Sequence, residues 1–128
     1  MAFFGTTSGN AILDCYFNQT NITAPTAIYA SLHTGAVGNT GANEASGSSY
    51  ARVVCTSNFP AASSKSTSND VAISYAAFTG AFTFTDAGVW TASTNGTWIG
   101  GGALSASKSV TSGDTASFAT SNFTVSIT

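Results

Sequence analysis

"AFTFTDAGVWTASTNGTWIGGGAL", residues Ala81 to Leu104, places two strand-like runs on either side of a turn signal. Phe82 and Phe84 alternate with Thr83 and Thr85, the period of two that a half-buried strand shows. Asn95-Gly96, in "STNGTW", supplies the left-handed backbone that hairpin turns favour. The stretch therefore predicts an antiparallel hairpin. Working outward, "TAIYASL", "ARVVCTSNF", "VAISYAAF" and "FTVSIT" are also rich in β-branched and aromatic residues, with clusters of Gly, Asn, Ser and Asp between them. The last alternates most cleanly: Phe123, Val125 and Ile127 on one face, Thr124, Ser126 and Thr128 on the other. "TSGDT" around Gly113 marks a second turn, so two successive hairpins predict a meander in the carboxy-terminal half. Everything after Pro25 reads as strand and turn. The fold expected is all-β, an antiparallel β-sandwich of jelly-roll-like or Ig-like kind.

One segment reads as a helix. In "SGNAILDCYFN" either Ser8 or Asn10 can cap the first turn, six apolar residues follow with one Asp among them, and Asn18 can close it. Ile12, Cys15 and Tyr16 share one face, and Leu13 and Phe17 an adjacent one. A helix apolar over so much of its circumference must be covered on more than one side, by its own sheet or by another chain, and its own sheet is the preferred cover. At 128 residues the chain is one domain: an arm at 1–9, the helix at 10–18 and the β domain at 26–128.

Charged residues make up 6% of the chain, against about 25% in an average soluble protein, while hydrophobic residues at 43% are ordinary. A surface with so little charge does little to keep copies apart and suits a protein packed against partners. Three Lys plus Arg and a net charge of −2 argue against nucleic-acid binding and against polybasic membrane attachment. No run approaches the roughly 18 apolar residues of a membrane span, and "MAFFGTTSGN" lacks a basic start. Synthesis in the cytoplasm is expected, where Cys15 and Cys55 remain thiols.

The inventory for chemistry is thin. One histidine and two separated cysteines cannot make a four-ligand zinc site, and no cofactor motif is present. Of the five acids, Asp86 and Asp114 lie in turn-like contexts where a carboxylate caps backbone amides. "WIGGGAL" lacks the Lys-Ser/Thr ending of a phosphate loop, so its glycines mark a bulge or a close approach of backbones. The segments 34–49 and 60–69 are long and poor in apolar residues; neither is expected to hold a core strand, and both are expected to form binding surface. Alternation along "IYASLH" puts Ile28, Ala30 and Leu32 on the core face and Tyr29, Ser31 and His33 on the outward one. With no acid to orient its ring, His33 is expected to anchor the loop that follows by a hydrogen bond. An enzyme is not expected.

The order of a short helix, "IYASLHTG", a Gly-rich segment, "ANEASGSSYARV", "DAGVW", "GALSASKSVTSGDTASF" and "FTVSI" resembles a family of small virion proteins of tailed bacteriophages. In that family a Leu-His-Thr pattern and a glycine-containing loop precede N-E-x-S-G-x-x-Y-A-R. Here these positions are Leu32, His33 and Thr34, then Asn43, Glu44, Ser46, Gly47, Tyr50, Ala51 and Arg52. Where many relatives have a proline in the loop, this chain has Ala36-Val37-Gly38. The resemblance implies a structural role, as head decoration or as tail or fibre component, and carries no catalytic residues. Arg52 is expected to clamp Glu44 or loop carbonyls.

Two functions follow as expectations. The first is a capsid cement protein on the outer surface of the head, bridging major capsid protein subunits, as a homo-oligomer with a trimer favoured. Candidate capsid or subunit contacts are Phe3, Phe4, Tyr29, His33, Glu44, Tyr50 and Arg52, with Phe3 and Phe4 packing under the domain or reaching a neighbour. The alternative is a tail-fibre or tail-tip component binding host-surface glycans, for which Trp90 and Trp98 are candidates if exposed, although core positions suit them better.

Overall fold

A computed structural model describes residues 3–127. Sequence expectations for Met1, Ala2 and Thr128 lie outside the described residues. Helix α1 spans Thr6–Phe17, and the strands follow as β1 Tyr29–His33, β2 Val53–Val54, β3 Ser66–Ser68, β4 Ile73–Tyr75, β5 Phe82–Trp90, β6 Trp98–Val110, β7 Ala116–Phe118 and β8 Thr124–Ser126. The hairpin predicted from the Asn95-Gly96 signal is β5 and β6. Both turn residues take positive φ, 53° and 78°, and the loop closes where the Thr91 amide donates to the Thr97 carbonyl at 3.1 Å.

That hairpin sits in an antiparallel sheet of order β2-β1-β5-β6. One face carries Ala30 and Leu32 from β1 and Ala87 and Val89 from β5. They pack in one apolar cluster with Ile73 and Tyr75 of β4, Ala116 of β7, Phe123 beside β8, and the fully buried Phe78 and Phe84. The fold is thus all-β and sandwich-like with one short helix, as expected, but its second layer is two ribbons, β3–β8 and β4–β7. The expected meander does not form, because β7 leaves the hairpin to pair with β4. The turn explains the departure. Asp114 accepts from the Thr111 amide at 2.8 Å and hydroxyl at 3.1 Å, the capping role expected of it, while the Phe78 and Asp114 backbones bond at 2.9 Å and steer the chain across the sandwich.

Segment 60–69, expected to hold no core strand, contributes the short strand β3, whose three residues are half-buried and outside the apolar core. Backbone pairing to β8 and the buried Asn69 hold it. Asn69 donates to the Val71 and Ala119 carbonyls and accepts from the Phe123 amide at 2.8 Å, so polar bonds do here what apolar alternation does elsewhere. Of the face expected on the last strand, Phe123 is buried while Ile127 is half exposed.

The helix begins four residues before the expected start. Gly5, not Ser8 or Asn10, is its N-cap and offers no side-chain bond. The unsatisfied amides of a first helical turn need partners, and the fold supplies one: the Thr6 amide donates to the Asn39 carbonyl at 3.2 Å. The Ser8 hydroxyl turns instead to the Trp98 carbonyl at 2.9 Å. Asn18 closes the helix, as expected. The preference for cover by its own sheet is overturned. Ser8, Ala11, Ile12 and Cys15 are half-buried towards the domain, but Leu13, Tyr16 and Phe17 are 57%, 78% and 84% exposed.

Ahead of the helix, Phe3 and Phe4 pack under the domain, one of the two alternatives expected. Phe4 bridges Gly100 on the edge of β6, and the Gly101 amide donates to the Phe3 carbonyl at 2.8 Å. A Cβ at Gly100 would collide with the Phe3 backbone. The glycine run of "WIGGGAL" is therefore a close approach of backbones, as its composition suggested.

Candidate functional site

The motif residues converge at the open edge of β1. On one side β1 pairs with β5 along its whole length, but on the other β2 covers only Tyr29 and Ala30. An uncovered strand edge leaves amides and carbonyls without partners. The motif fills the gap. The Ala45 amide donates to the Leu32 carbonyl at 3.0 Å, the Thr34 amide to the Asn43 carbonyl at 2.9 Å, and the Leu32 amide to the Tyr50 hydroxyl at 3.0 Å. A phenol thus stands in for a missing strand residue.

Tyr50 passes the bond on by donating to Glu44 Oε1 at 3.0 Å. Arg52 grips the same carboxylate in bidentate fashion, Nε to Oε1 and NH2 to Oε2, both at 2.7 Å. Its remaining NH1 donates to the carbonyls of Ala92 and Asn95 at 2.8 Å, tying the motif to the β5–β6 loop. Both alternatives foreseen for Arg52, the Glu44 pair and the loop carbonyls, are realised together. The guanidinium also lies 4.1 Å over the Trp90 ring. Burial pushes the Tyr50 phenol far above its ordinary range, so it stays protonated and can donate to Glu44.

His33 is not on an outward face. It is fully buried, as is Ser31, because loop 34–45 folds back over this side of the sheet. Val37 and Ala45 are buried within that loop, and Gly41, at φ 75°, presses against the Trp90 and Trp98 rings with no room for a Cβ. The segment expected to be binding surface is therefore partly core. Its carbonyls replace apolar side chains as the fastening: Nδ1 of His33 donates to the Ala42 carbonyl at 2.7 Å, and the neutral ring then accepts the Ser31 hydroxyl on Nε2 at 2.9 Å. The loop-anchoring hydrogen bond expected of His33 is present. Burial lowers its pKa against the opposing pull of the Ala42 carbonyl and the Glu44 and Asp86 carboxylates. Asp86, expected in a turn, lies buried in β5 opposite His33, next to a bulge, and accepts from the Thr85 hydroxyl.

The Trp98 and His33 rings meet edge to face with centroids 5.4 Å apart, and the Trp90 and Trp98 rings do the same at 5.1 Å. Trp98 is buried and Trp90 lies beneath Arg52, so neither offers a stacking face to a sugar. Of the seven candidate residues the structure brings together His33, Glu44, Tyr50 and Arg52. Phe3 and Phe4 lie at the β6 edge, and Tyr29 is half-buried at the start of β1. Ser31, Trp90 and Trp98 complete the cluster. The signal for Ser31 was its place on the His33 face, and for the tryptophans their positions flanking one turn. Among the described residues, no group of three His, Cys, Asp or Glu side chains could hold a metal ion, and no helix is long and apolar enough to cross a membrane.

A second feature is a groove of about 910 Å³ between β6 and the β7–β8 region. Leu32, Phe84 and Phe123 are among its lining residues, as are Ala103, Leu104 and Lys108 of β6. Residues 4–126 match the model of a family described as podophage GP4 fiber I protein gp80. No curated protein matches the sequence.

Proposed function

The chain belongs to the podophage GP4 fiber I protein gp80 family, a family of phage structural proteins, and from that premise we propose that it is a building block of a tail fibre, assembled from several copies. The observation that carries the reading is the helix. A 12-residue helix is marginal on its own in water, and this one turns Leu13, Tyr16 and Phe17 outward on a domain whose motif cluster is locked and buried. Such a domain works as a rigid block joined to neighbours through a small apolar face. The covered tryptophans give no support to glycan binding, so the role proposed is assembly. A homo-oligomer, a trimer by preference, is the form proposed.

The second reading is the capsid cement protein, bound outside the head and bridging major capsid protein subunits. Exposed Val54, Val71 and Ile127, away from the helix, favour it as further small contacts for a shell. Immunogold labelling of intact particles with an antibody to this chain tests both. Label confined to the tail is expected; label over the whole head would replace the fibre reading with cement, and particles free of label would overturn both.

A further inference from the structure

We propose that the groove between β6 and the β7–β8 region is a binding site for a short oligosaccharide. The site goes beyond the assembly role and uses another part of the domain: neither the exposed face of α1 nor Trp90 or Trp98 lines it. The groove exists because the edge of β6 is left bare. β6 is the last strand of its sheet, and β7, which follows it in sequence, pairs with β4 in the other layer. Phe3 covers the edge at Gly101, and beyond that point β6 is bulged. Phe84 stands opposite Lys108 and Asp86 opposite Ala103, so Thr85 alone faces Leu104 to Ser107. A bulge takes residues out of the ladder, and bulges gather beside sites where they re-aim a side chain. Leu104, Ser105 and Ala106 of this bulge line the groove, so backbone groups as well as side chains can meet a ligand there.

The lining suits a polyhydroxylated molecule. Ser105, Ser117, Ser121, Asn122 and Ser126 line the groove, and none of these side chains bonds to another described residue. Leu104, Phe118 and Phe3, each half-buried, supply an apolar shelf beside them. A sugar presents both kinds of surface, hydroxyls that donate and accept and C–H faces that pack on aromatic rings. Serine hydroxyls and an asparagine amide, donors and acceptors alike, answer the first. Phe118 answers the second.

Other ligand classes fit less well. Lys108 is the one charged lining residue among those described, too little positive charge for a nucleic acid or a polyphosphate. No described carboxylate lines the groove, so a cation finds no partner in it. An apolar molecule would strand the free hydroxyls and the amide. An extended peptide adds to an unbroken strand edge, and the bulge interrupts this one. A volume of about 910 Å³ lies at the upper end of the roughly 300–1,000 Å³ of small-molecule pockets, which suits a short chain of sugar rings better than a single ring.

An array of bacterial surface oligosaccharides probed with the labelled full chain tests the site, followed by amide NMR titration with the oligosaccharide it retains best. Retention of at least one structure is expected, with shifts concentrated at residues 104–108 and 117–124. Ala106→Trp and Ser117→Trp, at exposed lining positions, fill the groove and should each weaken binding about tenfold with the melting temperature unchanged. Ser57→Trp, exposed and outside the groove, should bind like the wild type. An array that retains nothing overturns the proposal. So do shifts that fall elsewhere, or binding that both groove variants leave intact. The shift map needs no substitution, so it decides the matter even where a variant loses its fold. Label over the head of the particle would replace the fibre reading and leave this site standing.

Discussion

Arg52→Ala tests the motif cluster most directly. It removes both bonds to Glu44, both carbonyl contacts to the β5–β6 loop and the cation over Trp90. Removing one partner of a fully buried pair costs about 3–5 kcal/mol, because the other charge is left without compensation. Here the Glu44 side chain keeps 20% of its exposure and the Tyr50 bond, so water and the phenol recover part of that cost. The expected loss is about 2–3 kcal/mol. In a domain of this size that lowers the melting temperature by about 8–12 °C. The assay is urea unfolding followed by tryptophan fluorescence, which also reports on Trp90 directly. A double-mutant cycle with Glu44→Gln separates the pair from its surroundings, and a coupling energy of at least about 1 kcal/mol is expected. A loss under about 0.5 kcal/mol, or strict additivity in the cycle, would refute the role assigned to the pair.

Three further outcomes follow from the geometry. Burial depresses the His33 pKa below its unfolded value of 6.5, so the neutral ring is the form the fold favours; stability is complete above that pH and declines as pH falls from 6.5 towards the folded value. Comparing unfolding free energies of wild type and His33→Gln across that window should show the extra slope in the wild type alone, and parallel curves would sink the assignment. Gly41→Ala places a Cβ at φ 75° against the Trp90 and Trp98 rings and should cost about 1–3 kcal/mol in chemical denaturation, with a change under half of that counting against the packing described. The buried Cys55 thiol, pushed up to about 11, should resist maleimide at neutral pH until the protein unfolds, whereas the half-buried Cys15 should react in the native state, as mass spectrometry of the labelled peptides would show.

How legible each element was depended on the kind of bond that holds it. The β5–β6 hairpin announced itself because Asn95-Gly96 and the Phe82-Phe84 alternation are local signals with local causes. The Glu44–Arg52 pair was legible because opposite charges are scarce here and eight residues apart in one motif. The strand β3 was not, since Ser66, Thr67 and Ser68 are held by backbone pairing and by Asn69, none of which leaves a hydrophobic period. The helix was found but misplaced at its start, because its first amide is satisfied by Asn39, a residue more than thirty positions away.

By itself, then, the sequence determined the all-β class, the hairpin, the single helix and the motif that ties them, because periodicity, turn chemistry and charge pairing act over a few residues. Tertiary structure alone decided which faces are covered. Alternation correctly put Tyr29, Ser31 and His33 on one side of β1, but alternation says only that a strand has two sides, and loop 34–45 folding over the second side turned an outward histidine into a core one. The same limit applied to α1 in reverse. Its apolar stripe reads like a buried face, yet whether anything lies against it is a fact about the rest of the chain, and there the chain leaves Leu13, Tyr16 and Phe17 in the open.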